Sequence, residues 1–476
     1  MIEFSALIGI IFNFALGWQC LRLMHWQTAL NGGLMVRIVL AYLLGQLLTS
    51  LIYYVMLLLW PNAFLGWILV ELLLVCLLAI CGRTRQAHAS ALEPTPAQND
   101  NMLHRVFCYV TWCVVFLGLV AVLLSVRTLA LKAPYGLWDA AAMWNLRVVY
   151  LAHPTEQWQQ IFSSDTQHPD YPLFHSLSAA RLCVLYGQWN PLVTQWFGFA
   201  HGAMAVLMLV GVLMRKASIF AALLAGAILL GTQYWWGITF WQYADHTLCA
   251  YMTASAVLLY LWLSEQDIKQ RSAIWMFVLL ALMTGTCAWT KNEGWPWVFW
   301  VSLIVGVRVC VVNRSRLFPM AAVWCGALTA VLWMPLSVHL MADATNDMVT
   351  GISTSSLTSR LFDWQHTCLI FEYVWDVFLK LHPVWALLLS IVWVLTFRPW
   401  QRLRQRLPAY GVLLLISLQI LTYLLVYQLT PHDLDWHLGT SVNRLMLQVW
   451  PIVVLGLFLL ARSCPVASNT LQKNNN

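Results

Sequence analysis

What this chain has least of is charge. Only 9% of its residues are Asp, Glu, Lys or Arg, against about 25% in an ordinary soluble domain. A soluble protein of this length needs charged surface around two or three cores, so that class is excluded. Metal and redox motifs are absent as well. The 12 cysteines are scattered, mostly in apolar blocks (Cys76, Cys108, Cys113, Cys249, Cys287, Cys325), with no CxxC and no Cys/His metal spacing. They read as small buried apolar residues. Neither HExxH nor a short-period repeat occurs. Before Arg22 there is no basic n-region and no small-residue cleavage site. A retained span is therefore expected at the N-terminus, not a removed signal.

What the chain does have is apolar sequence, 61% of the total, in blocks about as long as a bilayer core is thick. The fold class predicted is an all-α polytopic membrane protein. Thirteen transmembrane helices are read near 3–21, 38–59, 62–81, 106–131, 191–213, 217–236, 245–263, 273–290, 295–312, 318–340, 383–397, 409–428 and 445–462. With the N-terminus outside, 18 of the 26 Lys and Arg fall on the cytoplasmic side, as the positive-inside rule requires. That also accounts for the net charge of +7 without a nucleic-acid partner. The carboxylates sort the other way, onto the outer loops 132–190, 232–246, 341–382 and 429–444, and mark a working face. The chain divides into three leading helices (1–81), a polar cytoplasmic linker with Pro94 and Pro96 (82–105), a main membrane module (106–462) and a cytoplasmic tail (463–476).

Four outer clusters carry the candidate chemistry. The first loop opens with Leu137-Trp138-Asp139. A short amphipathic helix is expected at 140–151, with Trp144, Val148 and Leu151 on one side and Asn145 and Arg147 off it, suited to the membrane interface. Then comes His168-Pro169-Asp170-Tyr171-Pro172, a rigid turn with two prolines around an acid, and a second short helix over 173–186. The next cluster is Asp245-His246 at the head of the seventh span. A carboxylate there faces water, a partner or a ligand, or it caps the helix. The third is Lys291-Asn292-Glu293-Gly294. Its lysine holds an anionic group or snorkels at the interface. The fourth runs from His432-Asp433 to Arg444, which opens the last span. Arg444 binds a phosphate or pairs with Asp433 or Asp435. Six outer histidines, His168, His175, His246, His366, His432 and His437, leave a divalent metal open. Most of the 28 tryptophans read as interface anchors.

This arrangement resembles the GT-C membrane glycosyltransferases, the superfamily of protein O-mannosyltransferases and the lipid-A aminoarabinose transferase. The resemblance covers residues 106–462 and rests on Asp139 at the start of a large first outer loop with two short helices, Asp245 at the head of a span in the next outer loop, and Thr290-Lys291-Asn292-Glu293-Gly294 as a variant of a Lys-Gly element. Ala140 stands where the family's first-loop motif has a second acid. The absence of a large soluble C-terminal domain argues against protein N-glycosylation.

The resemblance implies a polyprenyl-phosphate sugar donor, a glycan, lipid or protein acceptor, and a multi-pass protein of the bacterial inner membrane. Asp139 would then be the base and Asp245 would orient the acceptor. Lys291 and Arg444 would hold the donor phosphate. His168, Asp170, Tyr171, His246, Asn292, Glu293 and His432 would line the substrate pocket. The rival readings are a transporter or lipid-glycan flippase, in which ionisable residues lie along a path at mid-membrane, an O-antigen ligase or polymerase, and a membrane scaffold. Glu71, inside the third span, is the chief residue that does not fit an outer-face enzyme.

Overall fold

The computed structural model of the chain describes residues 2–24, 33–61, 66–90, 102–153, 156–265, 271–312, 314–343, 354–381 and 403–461. Among the described residues helices make up 88%, and no strand occurs. They are α1 (Ile2–Leu23), α2 (Gly33–Leu59), α3 (Gly66–Ser90), α4 (Met102–Lys132), α5 (Leu146–Ala152), α6 (Phe174–Tyr186), α7 (Pro191–Lys216), α8 (Ile219–Gly231), α9 (Gln233–Phe240), α10 (Asp245–Ser264), α11 (Arg271–Thr290), α12 (Gly294–Val312), α13 (Leu317–Met341), α14 (Thr354–Leu361), α15 (Trp364–Leu381), α16 (Leu403–Leu429) and α17 (Leu434–Ala461). The chain is an all-α, multi-pass membrane protein: among the described residues nine helices are long and apolar enough to cross a bilayer.

Burial ranks these helices. In α10, 83% of the most apolar window is covered by protein; in α4 only 17% is. Helices α2, α7, α10, α11 and α17 therefore form the centre, and α4, α12, α13 and α16 the rim. Rim side chains such as Phe116, Leu117, Val311 and Phe318 are exposed. In water such a surface would aggregate; against lipid it is the outer wall of the protein.

Thirteen spans are not reached on the described residues. The apolar stretches of α1 and α3 are short, at Leu7–Leu23 and Gly66–Gly82. Helices α8 and α9 are long and apolar enough only as a pair, bent by 60° at Thr232, which makes them a broken span or a re-entrant loop. The predicted span 383–397, residues 91–101 of the predicted linker and the tail 463–476 lie outside the described residues. The last helix begins at Leu434, not 445. Its polar first turns hid it from a hydropathy reading, yet helix formation asks only for backbone hydrogen bonds.

The first loop also differs from expectation. Residues 140–151 are not an amphipathic interface helix. A π-helical turn, Ala140–Asn145, runs into α5, and the polar members Asn145 and Arg147 are buried along with Trp144, Val148 and Leu151. Arg147 donates to the carbonyls of Gln167 (3.2 Å), His168 and Tyr171 (3.4 Å). Those partners come from the loop that follows, so helical periodicity cannot reveal them. Helix α6 is buried on every side over Phe174–Val184. It packs against α1, α2, α5 and α7, inside the bundle.

The leading helices are packed onto the rest. Tyr53 Oη of α2 donates to the Leu151 carbonyl of α5 (2.7 Å). Tyr251 Oη of α10 donates to the Leu43 carbonyl (2.7 Å), and Tyr54 Oη bonds Ser337 Oγ of α13 (2.6 Å).

Candidate functional site

Two helices meet head to tail to start the site. α10 begins at Asp245 and α11 ends at Thr290, and they run antiparallel as neighbours. This sets Lys291, just past α11, beside Asp245. Lys291 Nζ donates to Asp245 Oδ1 at 3.1 Å and lies 2.8 Å from Glu293 Oε1. Both Asp245 and Lys291 are buried. Burial opposes the charge of Lys291, but Asp245 and Glu293 together hold its pKa above the ordinary lysine value. Lys291 is thus a desolvated cation paired with two carboxylates and not a snorkelling one.

Asp245 does not cap its helix. Ala244 holds the cap position, and the Asp245 carboxylate turns to side chains. Its Oδ1 accepts from Lys291 and also from Gln448 Nε2 of α17 at 2.6 Å. Its Oδ2 is buried with no hydrogen-bond partner. An unmet carboxylate oxygen is costly in a low-dielectric site. It is therefore an acceptor waiting for a donor.

Helix α17 brings the third charged group. Arg444 lies ten residues into it, four before Gln448, on the same face. Its guanidinium donates to Asp139 Oδ2 and lies over the Tyr243 ring, 5.1 Å from its centroid. Asp433 and Asp435, expected as its partners, are occupied elsewhere. Asp433 Oδ1 accepts from the Trp436 N–H (2.8 Å) and Asp435 Oδ1 from Tyr373 Oη (2.5 Å).

Asp139 reaches Arg444 because two turns lock together. Gly136 has φ +76°, and a Cβ there would stand 2.5 Å from the Trp241 carbonyl oxygen; only glycine fits. Asn145 Nδ2 donates to Tyr135 O (3.0 Å) and to Gln242 Oε1 (2.9 Å), while Gln242 Nε2 donates to Pro134 O (2.9 Å). The loop after α4 is thereby tied to the turn before α10.

The structure thus gathers Asp139, Asp245, Lys291, Arg444 and Glu293 from four separate parts of the chain. Asn292 Nδ2 approaches Asp170 Oδ2 at 3.4 Å, which brings in the Pro-bracketed loop. The other candidates keep different company. His168 stacks on Tyr171, with ring centroids 4.8 Å apart, and has φ +50°. His246 packs on Trp235 at 4.9 Å. His432 lies against Trp436 and His437. Among the described residues no three His, Cys, Asp or Glu side chains converge as a metal-holding group.

Sequence reasoning missed Gln448 and Tyr243. Gln448 carried a signal, since a lone amide in an apolar run, four residues after an arginine, shares its helix face. Tyr243 carried none beyond its place beside Asp245. No family model, no curated protein and no solved structure matches the chain.

Proposed function

We propose that the chain is a membrane glycosyltransferase of the GT-C kind, moving a sugar from a polyprenyl-phosphate donor to a glycan, lipid or protein acceptor. The observation that carries this reading is the partly buried cluster of two cations and three carboxylates at one end of the bundle, Lys291 and Arg444 with Asp139, Asp245 and Glu293. The finer topology belongs to the same proposal: thirteen spans in a bacterial inner membrane, the N-terminus and the cluster outside, the C-terminus cytoplasmic. The basic residues Arg22, Arg215, Lys216, Arg308 and Arg406, which lie at helix ends away from the cluster, support that orientation.

The chemistry follows from the pairing. Each cation is neutralised by carboxylates, Arg444 by Asp139 and Lys291 by Asp245 and Glu293. A donor phosphate presents a competing anion. A guanidinium binds phosphate oxygens strongly, so phosphate on Arg444 releases Asp139. The freed carboxylate takes the proton from the acceptor hydroxyl. The acceptor oxygen bonds the anomeric carbon, the bond from that carbon to the phosphate oxygen breaks, and polyprenyl phosphate leaves with the electron pair. Lys291 and Arg444 stabilise the charge that develops there. Asp245 Oδ2, unpartnered, receives a hydrogen bond from the acceptor and orients it.

A transporter or flippase is the second reading. The bent pair α8–α9, broken by 60° at Thr232 in the segment that leads to Asp245, favours it, because interrupted helices often line transport sites. One experiment separates the two. Protein in liposomes is given a radiolabelled polyprenyl-phosphate sugar with candidate acceptors. Transfer predicts label on an acceptor, and Asp139→Asn is expected to lower the rate by about 10²–10⁴ while the protein remains folded in the membrane. Label that crosses vesicles without leaving its lipid, or a fully active Asp139→Asn, would reject the assignment.

A further inference from the structure

Glu71 takes no part in the chemistry above, yet it is buried in α3. Its partner is Arg181 of α6, 110 residues on. Arg181 Nε donates to Glu71 Oε1 at 2.7 Å and Nη2 donates to Oε2, a two-pronged contact. The remaining nitrogen, Nη1, donates to Asn13 Oδ1 of α1 at 3.0 Å, and Trp67 lies under the guanidinium at 5.1 Å. Ser178, one turn earlier on α6, bonds Ser50 of α2 at 2.7 Å. All three leading helices thus grip one helix of the first loop. The grip is close, because a Cβ on Gly9 of α1 would meet the Leu182 side chain of α6 at 2.4 Å.

Stability alone does not account for such a pair. Two charges taken out of water lose most of what their attraction returns, and apolar residues of similar volume commonly serve as well. The best-attested use of a buried polar pair is to fix register. The other end of α6 shows what register would govern. Phe174 lies against Tyr251 of α10 (5.2 Å between centroids) and against Trp289 of α11 (4.9 Å). His175 Nδ1 bonds Thr247 Oγ1 at 2.9 Å. Thr247 is two residues after Asp245, and Trp289 is two before Lys291.

We propose that the Glu71–Arg181 pair is a positioning device: it sets how far α6 is seated, and the tip of α6 wedges α10 against α11 so that Asp245 and Lys291 stay in register. The leading helices are then part of the machinery, acting at a distance. The activity arm of the test rests on the transferase reading; the structural arm does not.

The test removes the pair without leaving an unpaired charge. Glu71→Leu with Arg181→Met is made in the full chain, carrying 4-fluorophenylalanine at position 174, whose fluorine resonance senses the Trp289 and Tyr251 rings. The expected result is a thermal midpoint close to that of the parent, a displaced resonance, and a kcat for transfer from polyprenyl-phosphate sugar lower by about 10²-fold with the donor KM little changed. An unmoved resonance overturns the proposal. So does a moved resonance with full kcat, since α6 would then not govern the site. If the apolar pair is not recovered from membranes, Glu71→Gln with Arg181→Gln carries the same measurements. If the parent protein transfers no sugar, the transferase reading fails while the fluorine resonance still decides whether the pair seats α6.

Discussion

Among the described residues, the charged clusters around Arg181 and around Asp245 are built differently. Around Arg181 each guanidinium nitrogen has a protein acceptor, and Glu71 receives two donors. Around Asp245 the account stays open. Three carboxylates face two cations, Asp245 Oδ2 has no partner, and both Asp139 and Arg444 keep partial exposure, 23% and 17% of their side chains. A closed set of charges holds shape. An open set retains bonding capacity for a further donor. These two clusters, one a brace between helices and the other the proposed site, thus differ in how fully their charges are satisfied.

The comparison can be broken or sharpened by substitution. The largest stability effect is expected from Glu71→Leu alone, which strands Arg181 and costs about 3–5 kcal/mol. The thermal midpoint in detergent should fall well below that of the Glu71→Leu/Arg181→Met protein, and equal midpoints would mean the closed cluster is not closed. Next is Lys291→Met. It leaves Asp245 Oδ1 with Gln448 as its hydrogen-bond donor, with Arg444 still nearby. A hydrogen bond to a charged group is worth about 1.5–3 kcal/mol, so this loss should be smaller, while transfer should suffer more than stability. A stability loss as large as that of Glu71→Leu would put Lys291 in the structural class.

The smallest effect concerns pH. Burial pushes the His175 imidazole down to about 3, with His201 and Lys291 acting in the same direction and Asp245 against it. Between that value and the ordinary 6.5, the unfolded chain binds a proton that the native state refuses. Stability therefore falls as pH drops below about 6.5, by up to about 1.4 kcal/mol per pH unit for this group. In His175→Gln the slope of thermal midpoint against pH should flatten in that window. An unchanged slope would show that His175 is not held neutral by its surroundings.

The parts legible in the sequence are those written locally. Apolar runs marked helices such as Pro191–Lys216, Asp245–Ser264 and Ala273–Thr290, because each satisfies its own backbone and needs no distant partner. Asp245 and Lys291 stood out because one opens and the other follows an apolar run. The contacts that assemble the cluster were not legible, because each joins distant segments: Arg444 to Asp139 across 305 residues and Gln448 to Asp245 across 203. The same applies to Arg147, whose charge suggested an exposed face and whose partners are carbonyls of a later loop. The start of α17 was hidden by His437, Thr440 and Asn443, which dilute hydropathy without opposing a helix.

The grip of α1, α2 and α3 on α6 has a consequence for how the protein is made. Glu71 leaves the ribosome 110 residues ahead of Arg181, which at ordinary translation speed is roughly 5–20 s. For that interval the three leading helices present the Glu71 carboxylate and the Asn13 amide oxygen with no guanidinium to donate to them. Nascent α3 therefore needs a temporary host, either the insertion machinery or a protonated Glu71, until the first loop doubles back and completes the slot. Maturation of the membrane-embedded chain should accordingly stall in truncations that end before residue 181 and resume once α6 has emerged.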